Sequence, residues 1–370
     1  MVPVENVHAN GWVSGLTGPL ARFLRSHPVV CLLLLTPGIP EYLSSSSPIN
    51  AIVLNPPLFF FELAANLGLY GPGVLLIYEA KVRWNKGWAS VLLLGAAYGI
   101  LEEGVALSTL FNPNASPVSS LGQYGHWLGV NWIWVASILP VHMIYSISLP
   151  MVLLGLALPR TVGRSLLSKR QIAVAFATLV VDVLALMLIV VRSSGYWMGW
   201  GLLVSSLVAI GVLVWTAHRI PAGVLHAATD LPQATNRRMA AVGIVFFPAV
   251  LLTQSLGKGT GLPAPADFVL VVVIQALFMV YIVRKVGAQG NERRLLSLSL
   301  GLILSIATIG VVAESTLPLT LLADLAMVLF FRKLWGRYGS PVTKRDREGP
   351  ELSSALTLLY QTTLDNPEAP

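Results

Sequence analysis

Charge is scarce in this sequence. Only 11% of its 370 residues are Asp, Glu, Lys or Arg, while 55% are hydrophobic. Soluble domains carry about 25% charged residues, so an ordinary soluble enzyme is excluded. Cysteine is nearly absent as well. The single Cys31 rules out an internal disulfide framework and a cysteine metal cluster. Histidine is sparse, six in all, so any that falls inside an apolar run carries weight. No small-x-small cleavage pattern stands close behind the short apolar core Val29–Leu35, which is therefore expected to open an uncleaved first helix.

What the chain has in abundance is apolar length. Mean hydropathy is +0.73. Ten apolar segments can be bracketed near 28–45, 51–80, 88–111, 131–158, 171–191, 197–217, 239–256, 267–283, 295–312 and 316–331. Each of the last eight is long enough for about 24 Å of helix. The first is interrupted by Pro37, Gly38 and Pro40. The expected fold is all-α: a polytopic transmembrane helix bundle of about ten spans. Residues 1–337 would form the membrane domain and 338–370 a flexible cytoplasmic tail.

Charge placement orients the bundle. If connectors alternate between the two faces, all of the 24 basic residues except Arg192 and Lys258 fall on one side. That asymmetry, read with the positive-inside rule, puts both termini in the cytoplasm and the protein in the cell membrane as a multi-pass chain. The net charge of +7 is then a property of cytoplasmic connectors. It gives no basis for a nucleic-acid partner; the lipid bilayer is the expected surrounding.

Ionisable residues at membrane depth are costly, about 2.5–3.5 kcal/mol each on insertion scales, so each needs a reason. Acids placed deep in the spans include Glu62, Glu102, Glu103, Asp182 and Asp324, with Glu79 near the inner boundary; the only mid-span histidine is His142. Counted from the expected outer ends, Glu62, Glu102 and His142 lie at about 14–17 Å on three consecutive spans. Short hairpins make those helices neighbours. On α-helical geometry Tyr98 shares a face with Glu102, and Tyr145 and Ser146 share one with His142. Glu102 and Glu103 diverge by about 100°, so the two acids are expected to face different ways.

Such a cluster supports general-base activation of water or a proton relay for transport. It would equally serve as hydrogen-bonded glue between helices. One mid-span histidine beside carboxylates is a thin ligand set, so no metal is assigned and any cofactor stays open. Gly257-Lys258-Gly259-Thr260-Gly261 lacks the full phosphate-loop pattern and reads as a hairpin loop. His226 and Asp230 fall in a basic connector.

Glu102-Glu103 followed by His142 on the next span resembles the CAAX-protease and bacteriocin-processing family of intramembrane glutamate proteases. That family carries EExxxR, then FxxxH, then a later HxxxN or HxxxD. Here Leu107 stands at the arginine position and Ile138 at the phenylalanine, and no later in-span HxxxN or HxxxD follows. The resemblance implies an intramembrane peptidase-like hydrolase. Glu102 or Glu103 would be the general base, with His142 stabilising an oxyanion or sharing the proton. Glu62, Tyr98, Tyr145 and Ser146 are the expected supporting residues. A proton-coupled permease or a noncatalytic scaffold is the alternative. The molecule acted on would be a membrane-embedded peptide or a small solute.

Overall fold

The computed structural model describes residues 23, 24, 26–116, 118, 120–225, 232–286, 291–313 and 318–339. The expected tail beyond Gly339, and His226 with Asp230, lie outside them. The described chain is helical apart from loops and one small hairpin pairing His126–Trp127 with Val130–Asn131. In chain order the long helices are α1 (Pro28–Tyr42), α2 (Pro56–Arg83), α3 (Trp88–Ala106), α4 (Trp132–Ala157) and α5 (Lys169–Ser194). There follow α6 (Gly199–Arg219), α7 (Asn236–Gly259) and α8 (Ala264–Val286). The last two are α9 (Glu292–Ala313) and α10 (Pro318–Gly339).

Eight of these, α2 to α9, are long and apolar enough to cross a membrane. The ten bracketed segments therefore divide into eight such helices and two at the ends of the series that differ. α1 is short, and α10 carries Asp324, Arg332 and Lys333. The second segment also shifts. Residues Ala51–Leu54 form a separate turn, and α2 starts only at Pro56, where a missing N–H costs nothing and the Asn55 side chain caps Leu58. The Gly257–Gly259 stretch, expected as a loop, continues α7 to its end before the turn at Thr260 and Gly261.

Packing separates lipid-facing helices from enclosed ones. On α5, α6 and α8, Phe176, Val181, Trp200, Trp215 and Leu277 are each at least 60% exposed. A soluble protein does not present apolar surface on that scale, whereas lipid tails match it. The chain is a multi-pass membrane protein. α3 lies at the other extreme, with 78% of its apolar window buried, so the paired glutamates sit on the most enclosed helix.

Polar side chains tie the two ends. At the end bearing the basic connectors, Glu79 accepts from Arg83 at 2.7 Å and Ser165 at 2.6 Å. It also accepts from the backbone N–H groups of Leu166 at 2.6 Å and Leu167 at 2.8 Å. Glu79→Ala would strand two backbone donors, and is expected to cost about 2–4 kcal/mol in a reversible unfolding measurement. At the opposite end, Tyr124 donates to Leu262 at 2.9 Å and to Asp267 at 3.1 Å. Burial and the Asp267 carboxylate push its phenol up to about 12, so it stays a donor throughout the ordinary pH range.

Candidate functional site

Three of the helices depart from α geometry, and they do so at their acidic or imidazole-bearing turns. α1 ends in the π turn Gly38–Tyr42, α3 in the π turn Ile100–Ala106, and α4 contains the π turn His142–Ser148. A π turn closes i→i+5 bonds and is wider than an α turn. In α4 the irregularity has a visible source just upstream. Pro140 has no N–H to give to Ala136, and Gln275 of α8 donates to that orphaned carbonyl at 2.7 Å.

The widened turns bring both adjacent acids onto one imidazole. His142 Nε2 lies 3.0 Å from Glu103 Oε1, and Nδ1 lies 3.3 Å from Glu102 Oε2. Glu102 and Glu103, expected to face different ways, both reach this one ring, each at a different nitrogen. A π turn rotates successive residues by less than 100°, and the ring presents one nitrogen to each carboxylate. Glu102, Glu103 and His142 are 3%, 7% and 3% exposed. Nδ1 also faces Ser146 Oγ at 3.2 Å. The contact of Nδ1 with Glu102 is poorly aligned, and Glu102 Oε2 lacks a hydrogen-bond partner among the described residues.

Close helix approach holds the pair in place. A Cβ on Gly95 would lie 2.9 Å from the Met143 Cα, and one on Gly99 would lie 3.3 Å from His142 Cβ. Only glycine at those positions lets α3 seat this closely against α4. The Tyr98 ring lies across Gly73 of α2, where any Cβ would collide with it. Tyr98 meets the His142 ring edge-on at 5.9 Å, and its buried hydroxyl, beside Glu102, makes no well-formed hydrogen bond.

The other expected residues divide. Ser146 joins the site, as above. Tyr145 turns away from it: the wide turn carries the i+3 position off the His142 face, and its hydroxyl meets Ser305 of α9 at 2.9 Å. Glu62 stands apart, half-buried beside Tyr42, because α2 begins at Pro56 and Glu62 lies only about 9 Å along it. Tyr70, two turns deeper on α2, occupies the level expected for Glu62 and stacks on His142 at 6.4 Å. Asp182 packs against Gly68 of α2, and Asp324 lines a groove between α9 and α10.

Besides Tyr70, both Thr109 and Glu41 escape sequence reasoning. Thr109 donates to the Glu103 carboxylate and to its backbone oxygen, while Trp134 donates to Thr109 at 3.4 Å. Glu41, on the α1 π turn, accepts from Tyr70 at 2.6 Å. Pro37, Gly38 and Pro40 had marked that segment as broken, which concealed an acid at depth. One ligand atom from each of Glu102, Glu103 and His142 can be chosen so that all lie within 4.8 Å of one another, close enough to surround a metal ion. Because both ring nitrogens already face carboxylates, a metal would have to displace one of those contacts.

Fold and site together define a multi-pass membrane helix bundle with a buried acid–imidazole centre. No protein-family model matches the chain, and searches of curated proteins and of solved structures found no match.

Proposed function

We propose that the centre is hydrolytic, and that the protein is an intramembrane peptidase-like hydrolase. The observation that carries the reading is the clasp of one imidazole between two carboxylates, all three buried where α3, the most enclosed of the apolar helices, meets α4. Hydrolysis in a dry interior needs a base for water, a carrier for the proton and a donor for the oxyanion. Each role has a group. Glu102 Oε2 has an open acceptor position beside the unengaged Tyr98 hydroxyl. A water there gives its proton to Glu102 as its oxygen attacks the scissile carbonyl carbon. Tyr98 donates to the resulting oxyanion. When the C–N bond breaks, the proton held by Glu102 passes to the leaving amine. His142, fixed by Glu103 through Nε2 and by Ser146 at Nδ1, keeps a positive or proton-bearing ring against Glu102 throughout. The distant resemblance carried by Glu102, Glu103 and His142 agrees in direction. Beside α1 an apolar groove of about 340 Å³, lined by Leu34, Gly38, Ile39, Tyr42, Met327 and Phe330, suits an apolar substrate segment.

A permease would need polar groups to continue across the bundle. Asp182 and Asp324 stand outside the cluster, and we do not extend it into a path.

The test uses the full chain in lipid nanodiscs, mixed with solubilised membrane proteins in ¹⁸O-water. Wild-type protein is expected to generate new chain termini within or beside apolar segments, with ¹⁸O in the new carboxyl groups. Glu102→Gln, which removes the proposed base, is expected to lower their yield by roughly 10²–10⁴-fold. Termini that are equally abundant with wild type and variant, both folded, would defeat the hydrolase reading.

A further inference from the structure

Glu41 is bound into the site more closely than a structural bystander would be. Its π turn packs on the π turn that carries His142. Oε1 accepts from Tyr70 at 2.6 Å, and Oε2 accepts from Ser47 at 3.0 Å; Ser47 in turn accepts from Asn66 at 3.0 Å. Tyr70, 2% exposed, interacts with Glu102 as well and stacks on His142 with ring planes 27° apart. Its single hydroxyl therefore stands between two carboxylates. Asn66 and Tyr70 lie one turn apart on the same face of α2, with Glu62 a turn before them.

Charge balance gives this line of contacts a purpose. Two carboxylates, Glu102 and Glu103, hold the one imidazole, a third, Glu41, stands beyond the Tyr70 hydroxyl, and among the described residues no lysine or arginine pairs with any of them. Buried like charges at this spacing cannot all stay ionised, so the cluster must hold at least one extra proton.

We propose that Glu41 and Tyr70 form a proton-exchange arm of the site, with Glu41 as the reservoir and Tyr70 as the relay. In the transfer step Tyr70 rotates its hydroxyl to Glu102 and gives up its proton there, while accepting the proton of the Glu41 carboxylic acid. Glu41 ends as carboxylate, Glu102 as acid, and Tyr70 is neutral before and after. One proton moves and no other bond changes. Ser47, in the loop that follows α1, donates to Glu41 Oε2 and holds the carboxyl group in place. The groups that bear on the arm are His142, Glu102, Glu103 and Tyr98 from α3 and α4, Glu62 and Tyr70 from α2, Tyr42 from α1, and Asp182 from α5.

This inference rests on the proton-handling role given to the centre, but its test needs no substrate. The full chain, ¹⁵N-labelled at histidine and held in lipid nanodiscs, is titrated while the His142 ring resonances are followed. Glu41→Gln and Tyr70→Phe are each expected to move the His142 midpoint by about one pH unit, the scale of a lost neighbouring charge or hydrogen bond. The double variant is expected to move it no further than the larger single change, because both act through one hydroxyl. A His142 midpoint unchanged in both single variants would overturn the proposal, as would effects that simply add. Should Tyr70→Phe fail to fold, Ser47→Ala, which removes the donor to Glu41 Oε2, gives the same readout. A failed cleavage assay leaves this result untouched, and an unchanged His142 leaves the hydrolase reading untouched.

Discussion

His142→Ala is expected to destabilise the protein by about 3–5 kcal/mol near neutral pH, the usual cost of removing one partner from a buried ionic contact. Among the described residues the imidazole is the only basic side chain paired with Glu102 and Glu103, which stand 3.3 and 3.0 Å from its two nitrogens. Without it, two carboxylates share a cavity that has lost their common counter-charge. The loss should shrink as the pH falls, since protonation then relieves the repulsion. Adding Glu102→Gln and Glu103→Gln to His142→Ala should recover more than half of it, because neutral amides no longer need the charge. Chemical unfolding of the variants in mild detergent measures both effects. A core that merely lost packing volume would show neither the pH trend nor the rescue.

Gly95→Leu is the second large effect. The Cβ alone would come 2.9 Å from the Met143 Cα, a backbone atom that cannot swing aside. α3 and α4 must separate, which costs about 3 kcal/mol through overpacking. The separation also pulls the carboxylates off the imidazole, and a displacement of about 1 Å at a reacting centre lowers the rate by roughly 10²-fold. Gly211→Leu on α6, where a Cβ meets nothing within 4 Å, is the control and should leave both quantities unchanged. Equal effects at the two glycines would mean that helix propensity, and not the close approach, governs the result.

The sequence revealed the meeting of α3 and α4 because burial energetics make mid-span acids rare, and helical rise converts position into depth. Glu62, Glu102 and His142 were placed at one level by counting alone; Glu102 and His142 do meet, whereas Glu62 stands apart. What counting could not supply was the width of the turns. Regular α periodicity kept Tyr145 beside His142, which the π turn of α4 undoes, and it sent Glu102 and Glu103 apart without showing that one ring could meet both at its two nitrogens. No residue pattern announces a π turn, since its i→i+5 bonds satisfy the same backbone groups that α bonds would. The start of α2 was misjudged because Asn50–Asn55 reads as apolar as the helix that follows it, and that shift moved Glu62 out of the site and Tyr70 into it. Glu41 was hidden by prolines that elsewhere mark a break. Pro40 is instead accommodated inside the widened turn.

The centre stands or falls on the double clasp of His142, and solid-state dipolar recoupling between ¹⁵N-labelled histidine and ¹³C-carboxyl-labelled glutamate measures it directly. For the protein in lipid, each His142 ring nitrogen is expected to show strong coupling to a different carboxyl carbon, one lost in Glu102→Gln with unlabelled glutamine and the other in Glu103→Gln. Coupling of neither nitrogen to a carboxyl carbon in a folded sample would contradict the account.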